Sequence, residues 1–301
     1  MKTRIFIGSM TAFILCSFIG IYFYSVDSNK KTSASKATYK NFQYSDNWID
    51  DFMMELKYYK SGINIKNSYP VKIAILDTMV SKKNRNEKIV YKGTYEKNHN
   101  GVEVSKDISH GQNILYLLEK YGPNDTNIYY ASVASPTGDV HLQSLEESLE
   151  WAINNEVDFI NLSFTLVNES TKLNSLLKEA YDKGIMIFAS AGNDGDSILS
   201  YPSSSPYVYA VGGLNKYLQR AYYSNYTIST SLYFMPSDDV QLIDNKDMGT
   251  SYSSILLTAY MASIFTQKQD DKERLLKKLF NDSNSNFYFP KLINETRGAE
   301  Q

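Results

Sequence analysis

The stretch of sequence that decides the fold is LEWAINNEVDFINLS, residues 149–163. Its first part belongs to a longer segment, residues 142–155, in which apolar residues recur at helical spacing, and this predicts an amphipathic helix. Its second part, residues 157–163, is a short apolar run typical of a buried strand. A helix that leads directly into a buried strand predicts one unit of a parallel sheet covered by helices.

The same alternation of strand-like and helical segments continues on both sides of this unit. Short buried strands that alternate with helices predict an α/β domain with a mainly parallel β-sheet and helices on both faces. The other strand-like runs are residues 71–76, 128–134, 184–191 and 208–213, and the other helical patterns are residues 111–121 and 173–183.

Polar residues that directly follow these strands are candidates for function, because ligands of parallel sheets gather at the carboxyl ends of the strands. Asp77 ends the first run, where it could be catalytic or could only cap a turn. Asn193 lies in a Gly-Asn-Asp-Gly string after the run at 184–191. That string is a good turn signal, but the amide of Asn193 could also point at a developing negative charge.

Two further candidates lie where helices begin. His110 directly precedes Gly111 and a helical pattern, although a lone histidine is more often an ordinary surface or core residue. Ser251 follows Gly249 and Thr250 and opens an apolar helical stretch at 255–265. A serine at this position could be a simple N-cap or a nucleophile whose neighbouring N–H groups help to bind an oxyanion.

These four residues together resemble the active site of subtilisins. Asp77, His110 and Ser251 follow one another in the chain order of the subtilisin triad, with Asn193 between the last two. Residues 149–163 also resemble the helix and substrate-pairing strand of these enzymes, and residues 201–213 resemble the strand after the oxyanion residue. Over about residues 46–285 the chain is therefore similar to the subtilisin-like serine peptidases, also called subtilases or the S8 family.

The resemblance implies a serine endopeptidase with a subtilisin-like α/β fold. Asp77, His110 and Ser251 would form its catalytic triad, and Asn193 would donate to the oxyanion. The partner would be a peptide or protein substrate, the enzyme a monomer, and no metal or organic cofactor would be needed for catalysis. Subtilisins often bind structural calcium, but no calcium loop can be assigned in this sequence. The implied substrate-binding residues are Ser163, Phe164, Thr165, Ala191 and Gly192.

Several positions depart from the family pattern. Met79 replaces a glycine, Asn113 replaces the second histidine, Ile255 replaces a proline, and Phe164 with Thr165 replaces the expected glycine-containing strand. None of these changes removes a triad residue. The alternatives are a weakly active or inactive subtilisin-like protein that binds peptides, and an unrelated membrane-tethered α/β binding protein.

The N-terminal segment predicts a membrane anchor. Residues 5–26 carry no charge and follow Lys2 and Arg4, and about 20 apolar residues suffice to span a bilayer. We therefore expect one N-terminal transmembrane helix at 1–26, a linker at 27–45, a peptidase domain at 46–290 on the extracytoplasmic side, and a tail at 291–301. A cleaved signal peptide and a secreted enzyme are the alternative. Lipidation of Cys16 is disfavoured, since Leu15 precedes it.

Composition excludes other classes of function. The chain has 31 basic and 33 acidic residues, and this balance excludes nucleic acid as a partner because phosphate binding needs a basic excess. A single cysteine excludes an intrachain disulfide and a cysteine-based zinc site. The residues between the anchor and the first strand are too few for a separate folding propeptide, which favours a restricted processing enzyme.

Overall fold

The structure is a computed structural model that describes residues 47–60, 70–99, 109–135, 137–227 and 232–264. The predicted anchor at 1–26, the linker at 27–45 and the tail at 291–301 lie outside these residues. Within the described ranges, no helix is long and apolar enough to cross a membrane.

Seven strands form one sheet in which each neighbouring pair is parallel. The predicted parallel sheet is therefore confirmed. The sequence patterns did not predict the two edge strands, at Ile89–Lys92 and Leu232–Pro236. In chain order, the strands are β1 (Val71–Thr78), β2 (Ile89–Lys92), β3 (Thr126–Ala134), β4 (Phe159–Leu162), β5 (Met186–Ser190), β6 (Tyr209–Leu214) and β7 (Leu232–Pro236). Their order across the sheet is β2-β3-β1-β4-β5-β6-β7.

The predicted helices are confirmed to within a few residues at each end. A two-stranded antiparallel hairpin, β8 (Val240–Gln241) and β9 (Lys246–Asp247), precedes the last described helix. The α-helices are α1 (Trp48–Lys60), α2 (Thr94–Asn98), α3 (His110–Tyr121), α4 (Leu142–Asn154), α5 (Thr171–Asp182) and α6 (Thr250–Ile264).

Helices cover both faces of the sheet, as predicted. Successive side chains of a strand point to opposite faces. In β4, Ile160 and Leu162 join a hydrophobic cluster with the apolar faces of α4 and α5. The intervening Asn161 is instead hydrogen-bonded to side chains of α6. Helix α6 is buried around nearly its whole circumference, because Thr250 and all residues from 252 to 264 are buried.

The topology brings the candidate residues to one edge of the sheet. The chain runs from β1 to β3 on one side and then crosses to β4 on the other side of β1. Ligands of open α/β sheets bind where the order reverses in this way, at the carboxyl ends of the strands. Asp77 lies at the end of β1, Ser163 follows β4, and Asn193 follows β5 on the next strand along.

Candidate active site

Asp77 and His110 are directly hydrogen-bonded. The Asp77 side chain is 2% exposed and the His110 side chain 33%, and His110 Nδ1 lies 2.8 Å from Asp77 Oδ1. The same carboxylate oxygen accepts a hydrogen bond of 2.7 Å from the backbone N–H of Thr78. Asp77 Oδ2 is buried and has no hydrogen-bond partner among the described residues. The imidazole therefore compensates a buried carboxylate and is itself held in one orientation.

A capping box begins α3 at His110. The Ser109 hydroxyl accepts from the backbone N–H of Gln112, and the Gln112 side chain accepts from the backbone N–H of Ser109. This pair fixes the first turn of the helix and with it the backbone of His110. Neither residue was predicted from the sequence, although a Ser followed by a Gln three positions later is the signal that could have found them.

Gly111 allows α3 to approach the sheet closely. A Cβ atom at this position would lie 1.9 Å from the hydroxyl of Tyr130 and 2.7 Å from the carbonyl oxygen of Thr78. The Gly111 N–H also donates to the Thr78 hydroxyl, at 2.8 Å. The glycine is therefore needed for the distance at which His110 meets Asp77.

The electrostatic surroundings raise the pKa of His110. Burial by itself lowers this pKa, but the charge of Asp77, the hydrogen bond that the imidazole donates to Asp77 and the charge of Asp247 together outweigh burial. Stabilisation of the imidazolium is what a base next to a nucleophile requires when it accepts a proton.

Ser251 is the second residue of α6 and exchanges hydrogen bonds with Ser163. The Ser251 hydroxyl donates to the carbonyl of Ser163 at 2.9 Å, and the Ser163 hydroxyl donates to the carbonyl of Ser251 at 3.0 Å. Within the described residues Ser251 makes no hydrogen bond to His110. The start of α6 is nevertheless next to the histidine, because the ring of Tyr252 lies 6.0 Å from the His110 ring, measured between centroids.

The two other serines near the start of α6 point away from this site. Ser253 donates to the carbonyls of Met235 and Pro236. Ser254 donates to the side chain of Asn161. Both hydroxyls are buried and engaged, which leaves Ser251 as the candidate nucleophile of this segment.

Asn193 is exposed and its amide is oriented by Thr250. Asn193 Oδ1 accepts from both the backbone N–H and the hydroxyl of Thr250, each at 2.9 Å. Asn193 Nδ2 has no protein partner among the described residues and is the free donor end of the amide. Thr250 thus ties the loop after β5 to the residue before Ser251.

One buried asparagine, which the sequence analysis missed, holds the loop that carries Asn193. Asn225 Oδ1 accepts from the backbone N–H groups of Asp194 and Asp196 at 2.9 and 3.1 Å. Its own backbone N–H donates to the carbonyl of Gly192. No local pattern indicates this role, because Asn225 lies about thirty positions further along the chain.

The five predicted substrate-binding residues differ in burial and in whether their backbone groups are available to a substrate. Phe164 is partly buried against the core cluster of α4 and α5, and Thr165 is exposed. Ala191 is buried, and its N–H and carbonyl are both hydrogen-bonded within the protein, to Val211 and Ser200. Gly192 adopts φ +111°, which favours glycine, and a Cβ would lie 2.4 Å from Asn225 Nδ2. A direct contact of substrate with Ser163, Phe164, Thr165, Ala191 or Gly192 stays a prediction.

No cluster of three His, Cys, Asp or Glu side chains that could hold a metal ion occurs in the described part of the chain. The expectation that catalysis needs no cofactor stays a prediction.

The chain is similar to a known protein family. The model of the family Peptidase_S8, described as the subtilase family, matches residues 120–278, more than half of the chain. The chain belongs to the subtilase family. It is 26% identical over 214 residues to the minor extracellular protease Epr of Bacillus subtilis, a match that covers 68% of this chain and 30% of Epr. It is 35% identical over 103 residues to subtilisin E of the same organism, covering 33% of this chain and 27% of that protein.

Solved structures show the same fold. A cold adapted subtilisin-like serine proteinase matches this subtilase with a TM-score of 0.58 and 20% identity, over 73% of this chain and 86% of that one. The prenylagaramide maturation protease PagA matches with a TM-score of 0.54 and 19% identity, over 69% and 78% of the two chains. The subtilisin-like α/β fold is therefore confirmed. The chain spans less than a third of the length of the two curated relatives described above.

Two of the departures of this subtilase from the family pattern, Met79 and Ile255, are buried. Tyr252, which lies in the same helix as Ile255, is buried as well. The phenol of Tyr252 donates to the carboxylate of Asp247 at 2.7 Å. These substitutions therefore leave the Asp77–His110 hydrogen bond in place.

Proposed function

We propose that this subtilase domain is a serine endopeptidase in which Asp77, His110 and Ser251 act as the catalytic triad. The observation that carries the proposal is the hydrogen bond between the buried Asp77 carboxylate and His110, beside the start of α6. A buried carboxylate that holds an imidazole in one tautomer, next to a serine at a helix start, is the arrangement that acyl transfer needs.

In the proposed reaction, the Ser251 hydroxyl turns from the carbonyl of Ser163 toward His110. Ser251 Oγ attacks the scissile carbonyl carbon while Nε2 of His110 takes the hydroxyl proton. The tetrahedral intermediate then breaks its C–N bond, and His110 returns the proton to the leaving amine. Water hydrolyses the acyl-enzyme by the same steps, with His110 again accepting and returning the proton.

Two donors would stabilise the oxyanion of the intermediate. Asn193 Nδ2 is free because Thr250 occupies the other end of the amide. The backbone N–H of Ser251 belongs to the first turn of α6, where N–H groups have no intrahelical acceptor. Donors that are fixed before the reaction stabilise charge that develops in the transition state without any cost of reorganisation.

The proposal includes a restricted processing role on an extended substrate. Ser163, Phe164 and Thr165 follow β4, and a substrate strand added there would pair through its backbone. Thr165 is exposed where the family pattern has a glycine, and its side chain supports a narrow groove. Membrane anchoring through residues 5–26 is also part of the proposal. It is supported by the uncharged run behind Lys2 and Arg4, and protease shaving of intact cells tests it.

One observation favours a second candidate, a weakly active or inactive peptide-binding protein. Ser251 donates its hydrogen bond to Ser163 and not to His110. The two candidates make opposite predictions for a fluorophosphonate probe, which reacts only with an activated serine.

The deciding experiment is labelling of the full chain with this probe, followed by peptide hydrolysis. We expect labelling at Ser251, loss of labelling in Ser251→Ala, and near-complete loss of hydrolysis in both Ser251→Ala and His110→Ala. Asp77→Asn should fold normally and lose about 10⁴-fold in kcat, because it favours the wrong tautomer of His110. Ser253→Ala is a matched control that keeps Ser251. Full hydrolysis by Ser251→Ala would refute the triad.

A further inference from the structure

A fixed carboxylate lies at the end of the β8–β9 hairpin, shortly before the start of α6. Asp247 is the last residue of the β8–β9 hairpin and is exposed. Its Oδ1 accepts from the backbone N–H of Met248 at 2.8 Å, and its Oδ2 accepts from the phenol of Tyr252 at 2.7 Å. With one bond to each oxygen, the carboxylate is held in place while remaining open to solvent.

Tyr252 connects this carboxylate to the candidate active site. It follows Ser251 directly, its side chain is buried, and its ring lies 6.0 Å from the His110 ring between centroids. Burial, together with Asp247, raises the pKa of Tyr252 far above its usual value, so the phenol stays a neutral donor to Asp247. The negative charge of Asp247 contributes to the raised pKa of His110.

The chemistry of His110 indicates which end of a substrate this charge would meet. In the proposed reaction, His110 gives its proton to the leaving amine, so groups beside the histidine are near the residue that follows the scissile bond. Asp77, the other carboxylate at His110, is buried and already paired with the imidazole. Lys246 precedes Asp247 in β9. Its positive charge lies on the opposite face of the strand, because successive strand side chains point to opposite faces. Asp247 is exposed, so a substrate can reach its carboxylate.

We propose that Asp247 is a specificity-determining residue that favours Lys or Arg directly after the scissile bond. This inference rests on the proposed endopeptidase function. An ion pair between exposed groups is weak and is screened by salt, so the preference should be roughly two- to fivefold in kcat/KM and not absolute.

The test uses the full chain and a peptide library with randomised central residues, in which cut sites are read by mass spectrometry. For each variant we compare cleavage before Lys or Arg with cleavage before Asp or Glu. We expect the ratio to exceed one in the wild type and to fall toward one in Asp247→Asn. Asp244→Asn is the matched control, because Asp244 is an exposed carboxylate in the turn of the same hairpin. It should keep the wild-type ratio.

Two further measurements separate the possible outcomes. High salt should lower the wild-type ratio and leave the ratio of Asp247→Asn unchanged. Tyr252→Phe keeps the ring but releases the carboxylate, so its ratio should lie between those of the wild type and Asp247→Asn. Cleavage with the same ratio in the wild type and Asp247→Asn would overturn this inference alone. No cleavage together with no fluorophosphonate labelling of Ser251 would overturn the proposed function and this inference with it.

Discussion

Asn161 should be one of the most sensitive positions of the domain, because it connects the sheet to the helix that carries Ser251. It is 0% exposed. Its Oδ1 accepts from Ser254 at 2.7 Å and from Thr258 at 3.2 Å, and its Nδ2 donates to the Ser163 hydroxyl at 2.8 Å. Ser163 in turn donates to the carbonyl of Ser251. The perturbation is Asn161→Leu, which keeps the number and branching of the side-chain heavy atoms and removes all three bonds.

The expected loss of unfolding free energy depends on which hydrogen bonds each partner of Asn161 keeps. Thr258 still donates to the carbonyl of Ser254, whereas Ser254 loses the acceptor of its hydroxyl. One orphaned buried donor costs about 1–3 kcal/mol, and the lost bond to Ser163 adds about 0.5–1.5 kcal/mol. We therefore expect the free energy of unfolding to fall by about 2–4 kcal/mol, a large part of the stability of an ordinary domain.

The assay is urea unfolding followed by tryptophan fluorescence. Adding Ser254→Ala to the Asn161→Leu background removes the orphaned hydroxyl and should restore about 1–3 kcal/mol. Ser263→Ala is the matched control, because among the described residues this buried serine of α6 bonds only the carbonyl of Ala259 in its own helix. A loss below about 1 kcal/mol in Asn161→Leu, or no recovery in the double variant, would show that the hydrogen-bond network is not the cause.

Two other predictions concern His110 and the loop of Asn193. Because the pKa of His110 is raised and the neutral imidazole is the base, kcat/KM should rise with pH through a midpoint above the ordinary histidine value of about 6.5. The His110–Asp77 pair should also stabilise the fold below about pH 6.5 and lose that contribution as pH rises through the folded pKa. Unfolding of the wild type and His110→Ala at several pH values measures this, and a kinetic midpoint at or below 6.5 would contradict it. Gly192→Ala should destabilise the domain by more than Gly138→Ala. Both glycines have positive φ, +111° and +97°, but only Gly192 would place a Cβ 2.4 Å from Asn225 and Ser200, while Gly138 has open space. Strain alone should cost about 1–3 kcal/mol, and equal losses in urea unfolding would argue against the clash.

The sequence alone determined the features that repeat at short range. Apolar runs such as residues 157–163 and helical patterns such as residues 142–155 predicted β4 and α4, because burial on one face of an element recurs with that element's own period. The edge strand β2 escaped prediction because it is only half-buried, whereas β7 is a mostly buried apolar run that was not recognised as a strand. The order of Asp77, His110 and Ser251 could be recognised from the sequence, because members of a family keep the same order of catalytic residues along the chain.

Only the tertiary structure decided which distant residues meet at the site. Ser163 and Ser251 exchange hydrogen bonds across 88 positions, and Asn225 holds the loop of Asp194 from 31 positions away. Asp247 reaches the surroundings of His110 only because the β8–β9 hairpin leads into α6, which packs against α3. These contacts depend on which strands are neighbours and where each one ends, and no local period in the sequence records that arrangement.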